Sequence, residues 1–230
     1  YPIGYLSPQF CDALLMRADE ALHFNWLGWY DVVATHRSIQ LVERAFYGSV
    51  FITPLVLAAY FAYFGERARA HLFIASYWLA VVVTLALFAF FPAKGPFAVS
   101  AHGIVPYMPK SGFDQAVIIE ALKQQKIHEV PLQALHGLVS FPSFHTAAAV
   151  LYILTAWPIA RLRWPVLMVN LLMLASIPVE GTHYLTDMIA GALVGASAYA
   201  TMSFLLRRRA SSQPSRSATA RLPRSSSHFR

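Results

Sequence analysis

The sequence predicts an all-α fold, a polytopic bundle of transmembrane helices, and three observations predict it. Hydrophobic residues make up 57% of the 230 residues and charged ones only 13%, outside the balance of ordinary soluble domains. Mean hydropathy is +0.49. The apolar residues fall in long runs, and one run, Leu72 to Phe91, contains no charge at all.

Taken in order, residues 1–40 mix Trp26, Trp29 and Tyr30 with charged residues. That mixture suits an amphipathic segment lying on the membrane surface, with a small soluble subdomain as the alternative. The stretch from Leu41 to Phe64 is apolar after Arg44, and about 20 such residues cross a bilayer as helix. A short linker leads to Leu72–Phe91, the clearest span. Thr146–Ala160, Trp164–Val179 and Met188–Leu206 are shorter but run into uncharged flanks, which brings the expected number of spans to five. Between the second and third lies a long loop, residues 92–140, in which Val117, Ile118, Ala121 and Leu122 recur at helical spacing and suggest an interfacial helix over Phe113–Gln125. Residues 207–230 are basic and rich in serine; they lack the apolar content that offsets ordering entropy and are expected to be disordered.

A net charge of +7 suggests nucleic acid, but the arginines sit beside apolar runs and in the tail, without an aromatic-basic binding motif, so no nucleic-acid partner is expected. They read as topology signals. Arg67 and Arg69, Arg161 and Arg163, and Arg207 to Arg209 mark alternate connections, and short basic connections stay in the cytoplasm. The long loop and the turn at Gly181 to Asp187 then face the other side. Five spans put the amino terminus outside, so a sixth helix upstream of Tyr1 is expected in the full-length protein. The single cysteine, Cys11, excludes an internal disulfide and a thiolate metal cluster.

Two short segments place titratable groups at span boundaries on one predicted side: Phe141–Ala147 (FPSFHTA) and Glu180–Asp187 (EGTHYLTD). Polar groups are costly in membrane segments and mark function by default. His183 and Asp187 are four residues apart; on a helical turn they share a face, and the carboxylate fixes one imidazole nitrogen while the other acts as nucleophile or base. Pro142 and Ser143 resemble a helix start, where capping, free amides and the dipole favour an anion such as phosphate. His145 then suits a proton donor to a departing oxygen.

At these residues the sequence resembles the type 2 phosphatidic acid phosphatase superfamily, whose second signature is Pro-Ser-Gly-His and whose third is Ser-Arg, five residues, His, and Asp four later. Here the second reads Pro142-Ser143-Phe144-His145 and the third Ser176-Ile177, then His183 and Asp187. The spacing matches but the arginine does not. The first signature, a lysine followed seven residues later by Arg-Pro, is not found, although Lys94 lies at the expected end of the second span. These departures resemble the branch of inositol phosphorylceramide synthases and sphingomyelin synthase-like proteins, in which Phe-Pro-Ser-x-His and His-Tyr-x-x-Asp recur.

The resemblance implies a membrane enzyme acting on lipid phosphates, as phosphatase or phosphotransferase. In it His183 attacks phosphorus to give a phosphohistidine, Asp187 orients it and His145 protonates the leaving alkoxide, with no metal and no cofactor. Ser143 and Lys94 are the candidate phosphate-binding residues, Lys94 as substitute for the missing arginine or else as a snorkelling interfacial lysine; Lys110 is a poorer candidate. Glu180 reads as a helix-end carboxylate or a second base, and His136 as a possible lining residue. Gly191 and Gly195 form the small-x-x-x-small pattern that lets helices approach closely. Three rivals stand beside this reading. One is a metallohydrolase using His145, His183, Asp187 and Glu180, without a His-Glu-x-x-His run. Another is a non-catalytic membrane protein or transporter. The third is a serine protease built on Ser143, for which no Gly-x-Ser-x-Gly turn exists.

Overall fold

The computed structural model describes residues 10–100, 106–111 and 141–212. Its order is α1 (Asp12–Ala21), α2 (Trp26–Thr35), α3 (Arg37–Tyr47), α4 (Ser49–Phe64), α5 (Arg67–Phe90), α6 (Pro96–Ser100), α7 (Phe144–Ala156), α8 (Arg163–Glu180) and α9 (Leu185–Ser212). No strand occurs among the described residues, and the predicted all-α bundle is the fold. The expected interfacial helix over 113–125, His136 and residues 213–230 lie outside the described residues.

Helix boundaries follow local chemistry. Asn25 caps α2 by accepting the Gly28 amide at 3.0 Å. Gly65, at φ +68°, ends α4 in the left-handed conformation that glycine adopts without a Cβ penalty. Helix α7 ends at Ala156, short of the expected Ala160: Trp157 keeps helical angles, φ −54° and ψ −42°, but Pro158 has no N–H with which to continue the ladder. Two expected boundaries move. Residue 41 falls inside α3, which runs continuously across the expected join between the amino-terminal segment and the first span. The carboxy-terminal tail does not begin at 207: α9 continues through Arg207–Arg209 to Ser212, since arginine is a good helix former and cations suit a helix C-terminus.

Two helices, α5 and Leu185–Arg209 of α9, are long and apolar enough to cross a membrane, and α3 with α4, bent by 42°, makes a third if counted as one span. The other two expected spans correspond to α7, only 13 residues long, and α8, which is bounded by Arg163 and Glu180. At 1.5 Å per residue α7 extends roughly 20 Å, less than the ~30 Å hydrocarbon layer. It is instead the central helix, packed by α9, α8, α5 and α4. Ala147, Ala148 and Ala149 have no exposed surface, and Tyr152 sits among Val50, Phe61, Phe73 and Met173 with its hydroxyl on the Val50 carbonyl at 2.9 Å. Outward positions such as Phe51, Leu55, Trp78, Val82 and Leu193 are apolar and exposed, as a lipid-facing surface requires.

The helices alternate in direction, so the C-terminal ends of α5 and α8 meet the N-terminal ends of α7 and α9. Both motifs lie at that end, and the three arginine clusters mark the opposite ends. Helix α9 is pressed onto α7 at two glycines. A Cβ on Gly191 would stand 2.2 Å from the Ser143 carbonyl oxygen, and one on Gly195 would stand 2.4 Å from that of Ala147. The close approach read from this pair is therefore a backbone-to-backbone contact. Gly195→Leu is expected to cost about 1–3 kcal/mol through overpacking and to lower the thermal midpoint in detergent; an unchanged midpoint would contradict this contact.

Candidate active site

Ser143 is the N-cap of α7: its backbone is extended, and its hydroxyl oxygen accepts from the Thr146 amide at 3.4 Å and the Thr146 hydroxyl at 3.2 Å. The predicted helix start at FPSFHTA is thus in place, and it sets His145 on the first turn. Tyr47 stacks on the His145 ring at 4.3 Å with 13° between planes. His145 Nε2 is buried and has no hydrogen-bond partner among the described residues, and a buried orphan of this kind calls for a functional explanation.

His183 and Asp187 meet as expected, with Nδ1 3.3 Å from Oδ2, His183 being 3% exposed and Asp187 fully buried. The local reason differs from a shared helical face. Helix α9 starts only at Leu185, so Tyr184 is its N-cap and Asp187 stands three residues on. The Asp187 carboxylate reaches back to accept the Tyr184 amide at 3.1 Å, half of a capping box, and the same Oδ2 catches the preceding His183. The Asp187 carbonyl accepts the Ser143 amide at 3.0 Å, which joins the two motifs directly. Upstream, Thr182 is held at φ +52°, a conformation that costs a side-chain-bearing residue roughly 1–2 kcal/mol and that nothing in the sequence announces. Gly181 has no room for a side chain: a Cβ would lie 2.7 Å from the Ile177 carbonyl oxygen, 2.8 Å from His183 Cδ2 and 3.2 Å from Tyr47. Tyr47 therefore lies against both the His145 ring and the turn carrying His183.

Helix α1 holds this turn from outside. Asp12 and Asp19, both buried, are seven residues apart and so lie on one helical face. Asp19 accepts the Leu185 amide at 2.9 Å, the Thr186 amide at 2.9 Å and the Thr186 hydroxyl at 2.6 Å, capping α9 from a distant part of the chain. Asp12 accepts the amides of Lys94 and Gly95 and, at 3.1 Å, the Tyr184 hydroxyl. Burial, and after it Asp12, raises the Tyr184 hydroxyl above its ordinary pKa, so it remains a donor. Lys94 is thus tied to the site through its backbone, while its Nζ lies 4.6 Å from the Phe10 ring centroid.

Glu180, also fully buried, is a scaffold acid. Its carboxylate accepts the Tyr107 hydroxyl and, at 3.1 Å, the Lys110 amide; its carbonyl accepts the Ser111 amide at 3.1 Å. Burial and then Glu180 raise the Tyr107 pKa. Tyr30 and Trp26 of α2 brace the same segment, through the Tyr107 carbonyl at 2.6 Å and the Pro178 carbonyl at 2.7 Å. Ser176 spends its hydroxyl on the Met173 carbonyl at 2.7 Å, and its neighbour Ile177 is buried. Among the described residues no three His, Cys, Asp or Glu side chains form a group able to hold a metal ion.

The structure therefore gathers His183, Asp187, Ser143 and His145, and links Lys94 to them through Asp12. Sequence reasoning missed Tyr47, Tyr107, Asp12 and Asp19. Of these only the two aspartates carry a signal in the sequence, their seven-residue spacing.

The described residues thus form a helical bundle with paired histidines at the ends of packed helices, one of them held by a buried carboxylate. The sequence matches the PAP2 superfamily over residues 13–201, and the chain belongs to that superfamily, with the phosphatase- or phosphotransferase-like activity that membership carries. No curated protein and no solved structure matches it. The match covers most of α1, so Asp19 lies within it.

Asp19→Ala removes the acceptor of two amides and a hydroxyl and is expected to cost about 1.5–3 kcal/mol. Thermal unfolding should show a lower midpoint, and hydrogen exchange should show the Leu185 and Thr186 amides losing protection. Unaltered exchange there would disprove the capping role.

Proposed function

We propose that the protein is a membrane phosphotransferase or phosphatase acting on lipid phosphates through a phosphohistidine intermediate. The observation that carries the reading is the contrast between the two histidines. His183 has Nδ1 on a buried carboxylate, which leaves Nε2 to attack phosphorus, and His145 has a buried Nε2 with no partner among the described residues.

In the first step a bond forms between His183 Nε2 and phosphorus, the bond from phosphorus to the leaving oxygen breaks, and His145 gives that oxygen a proton. Asp187 holds the His183 tautomer and stabilises the imidazole as it becomes cationic. In the second step water or a lipid hydroxyl attacks the phosphohistidine, His145 takes its proton, and His183 is released. The N-terminus of α7, capped by Ser143, offers amides and a positive dipole end to the phosphate oxygens, and Lys94 adds charge at the rim. A bilayer substrate fits the apolar outer surface. The arginine clusters at the opposite ends of the helices support a site on the extracytoplasmic side.

Within lipid phosphates the motifs favour the inositol-phosphotransferase-like branch. A phosphodiester carries less charge than a monoester, which suits a third signature without its arginine. Hydrolysis of phosphatidic acid is the alternative outcome of the same chemistry.

The test is incubation of the full chain in detergent and EDTA with radiolabelled phospholipids, with and without a lipid-alcohol acceptor. His183→Ala should abolish turnover and acid-labile labelling of the protein while expression is retained; turnover surviving in that variant, or lost to chelation and restored by zinc, would overturn the mechanism. His145→Ala should lose about 10²–10⁴-fold in rate, with partial recovery on substrates whose leaving groups have low pKa. Equal loss on both substrates would remove His145 from the acid role.

A further inference from the structure

Phosphoryl transfer is catalysed mainly by positioning and by positive charge aimed at the phosphate oxygens, and the third signature of this chain has Ile177 where an arginine is expected. Ile177 is wholly buried and hydrocarbon, so the charge must come from another part of the fold. Of the cations near the histidines, Lys94 has its ammonium over Phe10, on the side of the site built by α1.

The opposite side is built around Glu180. Its carboxylate is fully buried yet lies 3.9 Å from Nε of Arg44, whose side chain is 51% exposed. Arg44 Nη2 donates to the Met108 carbonyl at 3.0 Å, and the guanidinium lies 5.3 Å from the Tyr107 ring centroid. A guanidinium has five N–H donors, more than its contacts with Glu180, Met108 and Tyr107 use. Glu180 also fixes the backbone amide of Lys110, and Lys110 Nζ lies 5.9 Å from the Tyr47 ring centroid. Tyr47 is the residue stacked on His145 and pressed against the turn that carries His183. It is three residues after Arg44 on α3, so the two share a face. One buried carboxylate, three residues before His183, thus contacts both the Arg44 guanidinium and the Lys110 backbone amide.

We propose that Arg44 and Lys110, carried to the His145–His183 pair by Glu180 and Tyr47, bind the substrate phosphate in place of the arginine absent at Ile177. This rests on the phosphoryl-transfer reading above and deepens it. Arg44 supplies a planar donor set suited to two phosphate oxygens, and Lys110 supplies a mobile point charge. Neither was legible as a pair, since they are 66 positions apart in the chain and meet only because Glu180 binds both.

Orthovanadate, a phosphate analogue, is the probe. Its binding to the full chain in detergent is measured by calorimetry for the native protein and for Lys110→Gln, Lys110→Arg, Arg44→Gln and Arg44→Lys, with Arg69→Gln, at the opposite end of the bundle, as reference. His183-dependent lipid turnover is followed in parallel. Removing a charged donor should weaken vanadate by about tenfold or more, with Lys110→Arg nearly native, Arg44→Lys intermediate and Arg69→Gln unchanged. The exposed Lys110 side chain makes its variants the decisive ones if loss of the Arg44–Glu180 contact prevents folding. Native vanadate affinity in Lys110→Gln and Arg44→Gln, beside intact His183-dependent turnover, would overturn this assignment and leave the proposed function standing. Absence of both vanadate binding and His183-dependent turnover in the native protein would remove the function and the assignment together.

Discussion

The backbone contact between α7 and α9 sets the geometry at the histidine end of the bundle. Ser143 offers its carbonyl to the bare face of Gly191 and its amide to the Asp187 carbonyl, so the start of α7 and the start of α9 are held in one register. A side chain at Gly191 would separate them, and with them the two histidines that sit on either helix start. The alanines of α7 extend the same contact down the bundle, where Gly195 meets Ala147. Packing and chemistry are therefore one constraint here: the helices must approach at backbone distance for residues 143 and 187 to share a hydrogen bond.

Around this contact the structure uses buried acids as joints. Asp187 ties a helix start to His183, Asp19 ties α1 to the amides of α9, Asp12 ties α1 to the Lys94 loop, and Glu180 ties α8 to the segment at Tyr107 to Ser111. Burying a carboxylate is costly unless donors surround it: backbone amides, hydroxyls or a guanidinium meet Asp12, Asp19 and Glu180, whereas Asp187 takes His183 and the Tyr184 amide on Oδ2 and its Oδ1 has no partner among the described residues. These four acids thus build the site's walls. A wall made in this way holds loops at fixed distances without placing long flexible side chains among the reacting groups.

The fold was legible because bilayer helices need long uncharged runs, and composition alone carries that signal. The two motifs were legible because serine, histidine and aspartate at helix starts have local reasons to be there: Ser143 caps, and Asp187 reaches back to Tyr184. What was not legible came from contacts between distant parts of the chain. The roles of Asp12 and Asp19 have no local signature because their partners, at positions 94–95 and 184–186, are far away in sequence. Tyr47 meets His145, almost a hundred positions on in the chain, and no local pattern marks it. Helix α7 was expected to run to Ala160, but Trp157-Pro158 ended it early. The helical-face argument for His183 and Asp187 named the right pair for a different reason, because at N′ and N3 of a helix the same four-residue spacing is served by capping.

The distribution of charge follows from this construction and bears on the kind of phosphate the site suits. On the α1 side Asp12 and Asp19 are met by backbone amides and hydroxyls, and Lys94 stands beside Asp12 through its backbone amide. On the α3 side Glu180 faces Arg44 and the Lys110 amide, so part of the positive charge there is already spent. The cations left to a ligand are few, and they stand at the rim instead of within the third signature. A dianionic monoester asks for more neutralising charge than a monoanionic diester does, and the difference would fall on the amides at the start of α7. The acids that shape the walls therefore also bear on the charge of the site, and the diester preference proposed above draws its support from that balance.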